Sequence, residues 1–306
     1  MDEGCDGALA CLEAIKPHLD EARANGKAVG IGLGLKNSGL GNGFKEITKA
    51  VVRIEEDGSL EIRHGWTEMG QGINTVAIQV VIEELGHLLP IDPVRVRVVV
   101  DTTRELGLGQ TTGSRGTLMG AGAVQAACAT AKAAGLQRGT DHVGEYRVDW
   151  TTKLGDSGVT NPIIHSTFGY ASQLAIIDRG TGKVERVVAA HDVGRAVNPT
   201  LCEGQIEGSI HMGLGYALTE DFPSDPTTGF PTNMTLRSLG ILRAKDVPAM
   251  DVILVERPQP NSPYGIKGVG EIGLVPTAGA VAAALHDLDG QWRTTLPMRR
   301  TGVDEE

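Results

Sequence analysis

Hydrophobic and polar residues alternate from Ala50 to Arg63, with the pair Asp57-Gly58 in the middle of the stretch. Alternation with a period of two is typical of a β-strand with one buried face, and Asp-Gly is a preferred two-residue turn. The stretch therefore predicts a β-hairpin. A glycine-containing loop and a helical pattern at about 74–88 follow it.

A second hairpin is predicted further along the chain, with strands at 172–178 and 183–190 and a turn at 180–182. It is again followed by a loop and then by a helical pattern, here at about 201–218. The same order of elements thus occurs twice. We therefore predict a mixed α+β fold, in which two similar hairpin-plus-helix lobes turn their loops toward a common crevice.

The rest of the pattern predicts single elements. Strands are expected at 26–42 (running into a loop), 94–100 and 252–256, and helices at 7–24, 117–134 and 277–288. Pro17 lies inside the first helix and is expected to kink or split it, because proline has no N–H to donate. The stretch 141–161 shows little periodicity, and 301–306 is predicted to be a tail.

Composition and charge exclude several classes of protein. The chain has 306 residues, 42 glycines and a formal net charge of −10. This charge argues against nucleic acid or an anionic membrane as a partner. Cys5, Cys11, Cys128 and Cys202 form no CxxC motif, so we expect reduced thiols in a cytoplasmic protein and no iron–sulfur cluster on this chain. The eight histidines lack metal-ligand spacing, so we expect no metal held by protein ligands.

The glycine-rich stretch before the last predicted helix contains one carboxylate, Glu271, among Gly268, Gly270 and Gly273. Pro276 suits the first position of the helix, and glycines let the backbone approach a ligand closely. A glutamate held there is a candidate general base, whose pKa we expect burial to raise. A glycine-rich turn with a solvated acid is the alternative.

Three further segments are candidates for ligand binding. Residues 69–72 (Met-Gly-Gln-Gly) open a predicted helix and are expected to offer N–H groups and an amide to a phosphate or a pterin or purine edge. A plain turn, with Glu68 as a helix cap, is the alternative. Residues 111–116 (Thr-Thr-Gly-Ser-Arg-Gly) have the composition of an anion cradle, or equally of helix-capping residues. Gln205 projects from a helix, and a ligand or a neighbouring loop could bind its amide.

Several common catalytic motifs are absent from the sequence. No segment has the P-loop spacing, and no GxGxxG motif follows a strand and opens a helix. The GxSxG elbow of many hydrolases is also missing.

Together these segments resemble the molybdenum-binding subunit of the xanthine dehydrogenase/aldehyde oxidase family. The similar pieces occur in the family's order over about 27–298, at 67–72, 111–116, 191–199 (His-Asp-Val-Gly-Arg-Ala-Val-Asn-Pro), 204–208 (Gly-Gln-Ile-Glu-Gly) and 267–271 (Lys-Gly-Val-Gly-Glu). The stretch 270–277 most resembles the bacterial purine hydroxylases. The resemblance implies a C-terminal molybdopterin-binding domain at 27–300, after an N-terminal helical linker at 1–26.

The resemblance also implies which residues form the site. A molybdopterin, as its cytosine dinucleotide, would be surrounded by Met69, Gly70, Gln71, Gly72, Thr112, Gly113, Ser114, Arg115, Gly116 and Gln205. Ser114 and Arg115 are expected on the side of the pterin phosphate. Glu271 matches the family's base, and the family's reaction hydroxylates an sp² carbon with oxygen from water. The cofactor itself holds the molybdenum, so the resemblance implies no metal ligand in this chain.

Partners are implied in the same way. The family's molybdenum subunit has an upstream half that completes the active-site wall, and nothing in this sequence matches it. The [2Fe–2S] clusters and FAD are expected on other chains or domains, so we expect the isolated half to be an inactive part of an enzyme of purine metabolism. Ser166-Thr167 stands where mammalian purine enzymes have a stacking aromatic residue and a threonine, and serine cannot stack on a purine.

Two alternatives remain open at this point. The chain could be a cofactor-free fragment that serves as an assembly partner for the rest of a molybdenum subunit. It could also be an unrelated glycine-rich α+β binding module. The substrate would be a small heterocycle or aldehyde only under the first interpretation, that of a molybdenum hydroxylase.

Overall fold

The computed structural model describes residues 6–100, 103, 106 and 111–298. Within these ranges the chain has five α-helices: α1 (Gly7–Ala24), α2 (Ile73–Leu85), α3 (Gly116–Ala133), α4 (Pro199–Leu218) and α5 (Thr277–Asp289). The eight β-strands in the same ranges are β1 (Ala28–Ser38), β2 (Glu46–Ile54), β3 (Leu60–His64), β4 (Val96–Val100), β5 (Asp141–Val148), β6 (Thr167–Ile177), β7 (Val184–Asp192) and β8 (Ala249–Val255). The predicted tail at 301–306 lies outside the described residues, as do residues 1–5 of the predicted linker.

The strands form two four-stranded sheets, β4-β3-β2-β5 and β1-β6-β7-β8, and each sheet is the centre of one lobe. In the first lobe, β2 pairs antiparallel with β3 and with β5, and β3 pairs parallel with β4. In the second lobe, β6 pairs antiparallel with β7 and with β1, and β7 pairs parallel with β8. The prediction of an α+β fold with two similar lobes is confirmed.

The two lobes share an arrangement but differ in chain order. In the first lobe the outer strand β5 follows α3 and pairs with β2. In the second lobe β1 takes the corresponding place beside β6, yet it precedes the rest of that lobe in the sequence. The second lobe is therefore a circular permutation of the first.

Helices cover both sheets. Helices α2 and α3 pack on the first sheet around a core that includes Val52, Ile62 and Val124. In the second lobe, alternation along β6 places Ala175 and Ile177 against α4 and α5, and Leu174 and Ile176 against α1. The second sheet is thus covered on both faces. No helix in the described ranges is long and apolar enough to cross a membrane.

Glycine residues let a helix pack directly on an outer strand in each lobe. A Cβ at Gly144 of β5 would collide with the backbone of Ala123 and Ala127 in α3. A Cβ at Gly30 of β1 would collide with the backbone of Ala280 and Ala284 in α5. The same close packing therefore occurs at corresponding places in the permuted lobes.

The prediction that Pro17 splits the first helix is wrong. Helix α1 is continuous from Gly7 to Ala24, with Pro17 on its exposed side. Carbonyl groups on the solvent side of a helix can tilt toward water, so the missing N–H is tolerated there. On the opposite side, Cys11 and Ile15 are fully buried against the second sheet. The division of the chain at residue 26 remains a prediction.

The first hairpin has a longer turn than predicted. Glu55 N donates to Ser59 O at 2.9 Å, and Gly58 N donates to Glu55 O at 3.0 Å. The loop therefore has three residues, 56–58, and not two. It ends at Gly58, which has a left-handed conformation with a φ of +79°.

Strand β5 was not predicted, because 141–161 showed little periodicity. Its inward-facing positions are His142, Gly144, Tyr146 and Val148. Only the last of these is an ordinary hydrophobic core residue, so the alternation of the strand is hidden in the sequence.

Candidate active site

Loops from both lobes surround one crevice of about 270 Å³. The N-terminal turns of α2, α3 and α4 and the loop before α5 contribute to its wall. The residues singled out from the sequence that line it are Met69, Gln71, Thr112, Ser114, Arg115, Gly116, Gln205 and Glu271. Gly70, Gly72 and Gly113 belong to the same loops. The predicted convergence of these loops on a common crevice is confirmed.

Gly72 brings the starts of α2 and α4 into contact. Its φ is +87°, and a Cβ there would lie only 2.5 Å from Leu201 Cδ1. Asn198 caps α4 by accepting a hydrogen bond from Leu201 N at 3.0 Å, and it donates to Gln79 Oε1 of α2 at 3.1 Å. The two lobes are therefore joined at the edge of the crevice.

Two donors hold the carboxylate of Glu271 at the crevice wall. Ser114 Oγ donates to Oε2 at 2.7 Å, and Lys36 Nζ lies 3.0 Å from the same oxygen. The Glu271 side chain is 46% exposed, so a ligand in the crevice can reach it. Ser114 itself has a φ of +51°, a conformation that residues other than glycine rarely adopt.

The pKa of Glu271 is lowered, so the prediction of a raised pKa is wrong. Burial acts to raise this pKa, but the hydrogen bonds from Ser114 and Lys36 and the positive charge of Lys36 outweigh it. The nearest neighbours of Glu271 in the sequence are glycines and apolar residues, and the lysine comes from β1. Glu271 is therefore an ionised carboxylate at neutral pH, the state that a proton acceptor requires.

The N–H groups that open α2 are already bonded within the loop. Glu68 accepts hydrogen bonds from Gly70 N and Gly72 N, both at 2.9 Å, and from Asn74 N at 3.1 Å. Burial acts to raise the pKa of Glu68, but these three hydrogen bonds outweigh it and lower the pKa. Glu68 is thus the helix cap that the sequence left as an alternative.

The amide of Gln71 is also used inside its loop. It donates to Thr67 O at 2.7 Å and accepts from Met69 N at 2.6 Å. In this conformation Gly70 N, Gly72 N and the Gln71 amide are bonded within the loop, and binding of a ligand by 69–72 remains a prediction. The Met69 side chain remains 66% exposed at the crevice.

The guanidinium of Arg115 is buried beneath the crevice. Its Nη1 lies 2.8 Å from Glu46 Oε1, and both side chains are 1% exposed. The guanidinium carbon also lies 5.3 Å from the centre of the Trp66 ring. The guanidinium is thus paired below the crevice. The expectation that Ser114 and Arg115 lie on the side of the pterin phosphate remains a prediction.

The second lobe holds a matching buried pair. Lys267 Nζ lies 2.5 Å from Asp192 Oδ2, with both side chains fully buried, and 5.6 Å from the centre of the Tyr170 ring. Burial raises the pKa of Asp192, although Lys267 and the N–H of Gly194 act to lower it. Each lobe therefore carries a cation, a carboxylate and an aromatic ring beneath the loop that precedes its last helix.

Ser166 and Thr167 lie where β6 begins, beside the loop that carries Glu271. Thr167 pairs with Ser38 of β1, and Ser38 Oγ accepts a hydrogen bond from Gly268 N at 2.9 Å. The hydroxyl groups of Ser166 and Thr167 are buried, and neither has a hydrogen-bond partner within the described part of the chain. Their role in substrate binding remains a prediction.

Two cations at the site were not singled out from the sequence. Arg195 lines the crevice and is exposed, and it is the one charged residue in 193–199. This isolated charge in the segment could have indicated from the sequence that Arg195 belongs to the site. Nothing comparable in the sequence indicated Lys36, because its contact with Glu271 depends on how β1 packs in the second lobe.

Comparison with known proteins decides the family. The family model described as the molybdopterin cofactor-binding domain matches residues 9–147 and 132–248. The chain belongs to this family. A probable xanthine dehydrogenase component of Bacillus subtilis (strain 168) is 29% identical to this molybdopterin-binding chain over 340 aligned positions, which cover 96% of the chain and 45% of the relative. A putative xanthine dehydrogenase molybdenum-binding subunit of Escherichia coli (strain K12) is 27% identical, over 85% of the chain and 39% of that protein.

Solved structures of the family share the fold. The aldehyde oxidoreductase of Desulfovibrio gigas superposes with a TM-score of 0.78 at 24% identity, over 92% of this chain and 33% of that one. This molybdopterin-binding chain thus spans less than half the length of the relatives that it matches. It is a member of the molybdenum-binding subunits of the xanthine dehydrogenase family, and its fold is that of their molybdopterin-binding domains.

Proposed function

We propose that this chain is the C-terminal half of the molybdenum subunit of a hydroxylase, and that Glu271 is its catalytic base. The enzyme would hydroxylate an sp² carbon of a purine, a related heterocycle or an aldehyde, with oxygen from water. The observation that carries the proposal is an ionised, accessible carboxylate held at the crevice wall by Ser114 and Lys36.

The residues of the crevice fit a molybdopterin. The N-terminal turns of α3 and α4 line it, and helix N-termini favour the negative charge of a phosphate. Gln205 and Arg195 supply side-chain donors on the α4 side, and Gly270 adds no side chain of its own to the wall. When bound, the cofactor supplies the redox-active metal that takes electrons from the substrate carbon.

The size of the crevice bears on the form of the cofactor. About 270 Å³ lies just below the range of about 300–1,000 Å³ that is usual for ligand pockets. We therefore propose that the pterin occupies the crevice, and that the nucleotide part of the cytosine dinucleotide form extends past its mouth.

The geometry supports a specific role for each oxygen of Glu271. Oε2 stays bonded to Ser114 and Lys36, which anchors that oxygen at the crevice wall. Oε1 accepts the proton from the water-derived oxygen donor. The lowered pKa keeps the carboxylate in its accepting form throughout the neutral range. A positioned base of this kind contributes about 10²–10⁴-fold to a rate.

We also propose that the other functions of the enzyme reside on further chains or domains. The relatives are longer than this chain, and one is named as subunit gamma of the 6-hydroxypseudooxynicotine dehydrogenase complex of Paenarthrobacter nicotinovorans. An upstream half of the molybdenum subunit and carriers of [2Fe–2S] clusters and FAD are therefore part of the proposal, and so is inactivity of the isolated half. A role in purine metabolism, a cytoplasmic location and a domain at 27–300 belong to the same proposal.

A second candidate is a cofactor-free fragment that serves as an assembly partner. The observation that favours it is the loop before α2, whose N–H groups and amide are satisfied by Glu68 and by the loop itself. A loop in this state has fewer donors to offer a cofactor.

Glu271→Gln in the assembled enzyme tests the proposal. The amide keeps the shape of the side chain but cannot accept the proton, so we expect turnover to fall by about 10²–10⁴-fold with molybdenum and pterin contents unchanged. Glu13→Gln, on the exposed side of α1, is the matched control and should leave turnover as it was.

Each outcome separates the candidates. Full molybdenum content with near-normal turnover in Glu271→Gln would remove Glu271 from the mechanism. An assembled enzyme that contains no molybdopterin even with unaltered Glu271 would favour the cofactor-free assembly partner.

A further inference from the structure

We propose that Lys36 is the positioning residue of the base: it holds the Glu271 carboxylate in one orientation at the crevice wall. This inference rests on the proposed function, in which Glu271 accepts the proton. It assigns a role to a residue that lies far from the glycine-rich loop in the sequence.

The pattern of β1 explains how Lys36 reaches the loop. Gly32, Gly34 and Lys36 alternate along the strand and therefore face the same side of the sheet. A Cβ at Gly32 would collide with Pro276 O, and a Cβ at Gly34 would lie 3.1 Å from Pro276 Cδ. The turn before α5 thus rests directly on the two glycines, and Lys36 is the next side chain on that face.

The two carboxylate oxygens of Glu271 differ in their hydrogen bonds. Lys36 Nζ, at 3.0 Å, and Ser114 Oγ, at 2.7 Å, both meet Oε2. Oε1 receives no hydrogen bond from any residue that the structure describes. Lys36 Nζ also donates to Asn37 O at 2.8 Å, which fixes the ammonium group against β1. One oxygen is therefore anchored, and the other is left for the proton.

The other charged groups near the crevice have different partners or positions. Arg115 pairs with Glu46, and Lys267 pairs with Asp192, in both cases below the surface. Arg195 lies on the β7–α4 side of the crevice. Within the described ranges, Lys36 is the cation that forms an ion pair with Glu271.

The pKa of His165 also depends on the charge of Lys36. Asn37 Nδ2 lies 3.2 Å from His165 Nδ1, which places the imidazole beside the β1 segment that carries Lys36. Burial lowers the pKa of His165, and the charge of Lys36 lowers it further, whereas Glu46 raises it. Removal of the Lys36 charge should therefore raise the pKa of both Glu271 and His165.

Titration of this chain without cofactor tests the proposal. NMR on chains labelled in glutamate and histidine would follow Glu271 and His165 in the wild type and in Lys36→Met, Lys36→Arg and Lys45→Met. We expect both groups to titrate at higher pH in Lys36→Met, and near their original pH in Lys36→Arg, which keeps the charge. Lys45→Met removes an exposed lysine of the following loop and should change neither. An unchanged titration of Glu271 in a folded Lys36→Met chain would overturn the proposal.

The assembled enzyme gives an independent readout. In Lys36→Met the acid limb of kcat/KM should move to higher pH, and the plateau should fall about tenfold or more because the carboxylate is less well oriented. Lys36→Arg should restore the pH profile. If Glu271→Gln abolishes turnover while Lys36→Met keeps the wild-type profile, only the role of Lys36 fails. If Glu271→Gln stays active, the proposed function itself fails.

Discussion

The two lobes are built alike but differ in what they present to the crevice. In each, an antiparallel hairpin is extended by a parallel strand, and a last helix packs on a glycine of the outer strand. The loop before α3 brings Ser114 to the crevice, whereas the loop before α5 brings Glu271. The contrast indicates that the scaffold fixes where loops meet, and that single loop residues decide which lobe carries the carboxylate of the crevice wall and which lobe supplies a hydrogen-bond donor to it.

The helix caps show the same division of roles. Helix α2 is capped by the carboxylate of Glu68, which accepts three N–H groups. Helix α4 is capped by the neutral amide of Asn198, with Pro199 at its first turn. The start of α4 therefore keeps more of its positive character toward the crevice than the start of α2 does.

The largest effect is expected at the two buried ion pairs. Removing one partner of such a pair leaves an uncompensated charge, which costs about 3–5 kcal/mol of unfolding free energy. We expect Arg115→Met in the first lobe and Lys267→Met in the second to lose this much in urea unfolding. Lys16→Met, at an exposed i,i+4 pair on α1, is the control and should have little effect. A large loss in one lobe only would show that the two pairs are not equivalent.

A smaller effect is expected from two buried histidines, one near the end of the second strand of each hairpin. Burial lowers the pKa of His191 in β7 from 6.5 to about 4. Burial also lowers the pKa of His64 in β3, but Asn74 and Glu68 partly oppose this. The unfolded chain therefore binds protons at a higher pH than the native state does, and stability is lost as the pH falls from 6.5 toward about 4.

The loss assigned to His191 amounts to about 3 kcal/mol at most. Unfolding free energies measured across this pH range should fall less steeply in His191→Asn than in the wild type, and His64→Asn should show a weaker change of the same sign. An unaltered slope in His191→Asn would contradict a neutral buried imidazole at this position.

The smallest effect is expected at the two glycines beneath the last helices. Gly30→Ala and Gly144→Ala each push a helix away from its strand, and overpacking of this kind typically costs about 1–3 kcal/mol. The control is Gly204→Ala in α4, where a Cβ would meet no atom within 4 Å. Alanine should stabilise that helix by up to about 1 kcal/mol. Thermal unfolding would measure all three, and similar losses at Gly30 and Gly144 would support equivalent packing in the permuted lobes.

Much of the fold could be predicted because its hairpins and helices have regular patterns. The sequence at 172–190 alternates strongly, so the second hairpin was placed within a few residues. Strand β5 was missed because glycine, histidine and tyrosine occupy its inward positions. The pairing of β1 with β6 was also out of reach, because strand partners distant in sequence leave no local signal.

The candidate site shows a similar limit. Glu271 could be predicted from its glycine-rich loop, and the crevice from the repeated order of elements. The donors that hold Glu271 could not, since Lys36 and Ser114 approach it only in the folded chain. For the same reason, sequence alone did not show that Glu68 takes up the N–H groups of 69–72.

The permuted order of the second lobe has a consequence for the way the chain is made. The first lobe is continuous from β2 to β5, so its sheet can form as soon as residue 148 has been synthesised. Strand β1 is synthesised before that lobe but finds its partner β6 only after it, and its covering helix α5 only at residues 277–289. During translation, β1 therefore has no strand partner until the first lobe and β6 have been synthesised. Closing the long loop between β1 and β6 slows the formation of the second lobe. Glu271, the proposed base, is then among the last groups to reach its place, so a nascent chain holds no formed site until residues 271–289 have been synthesised.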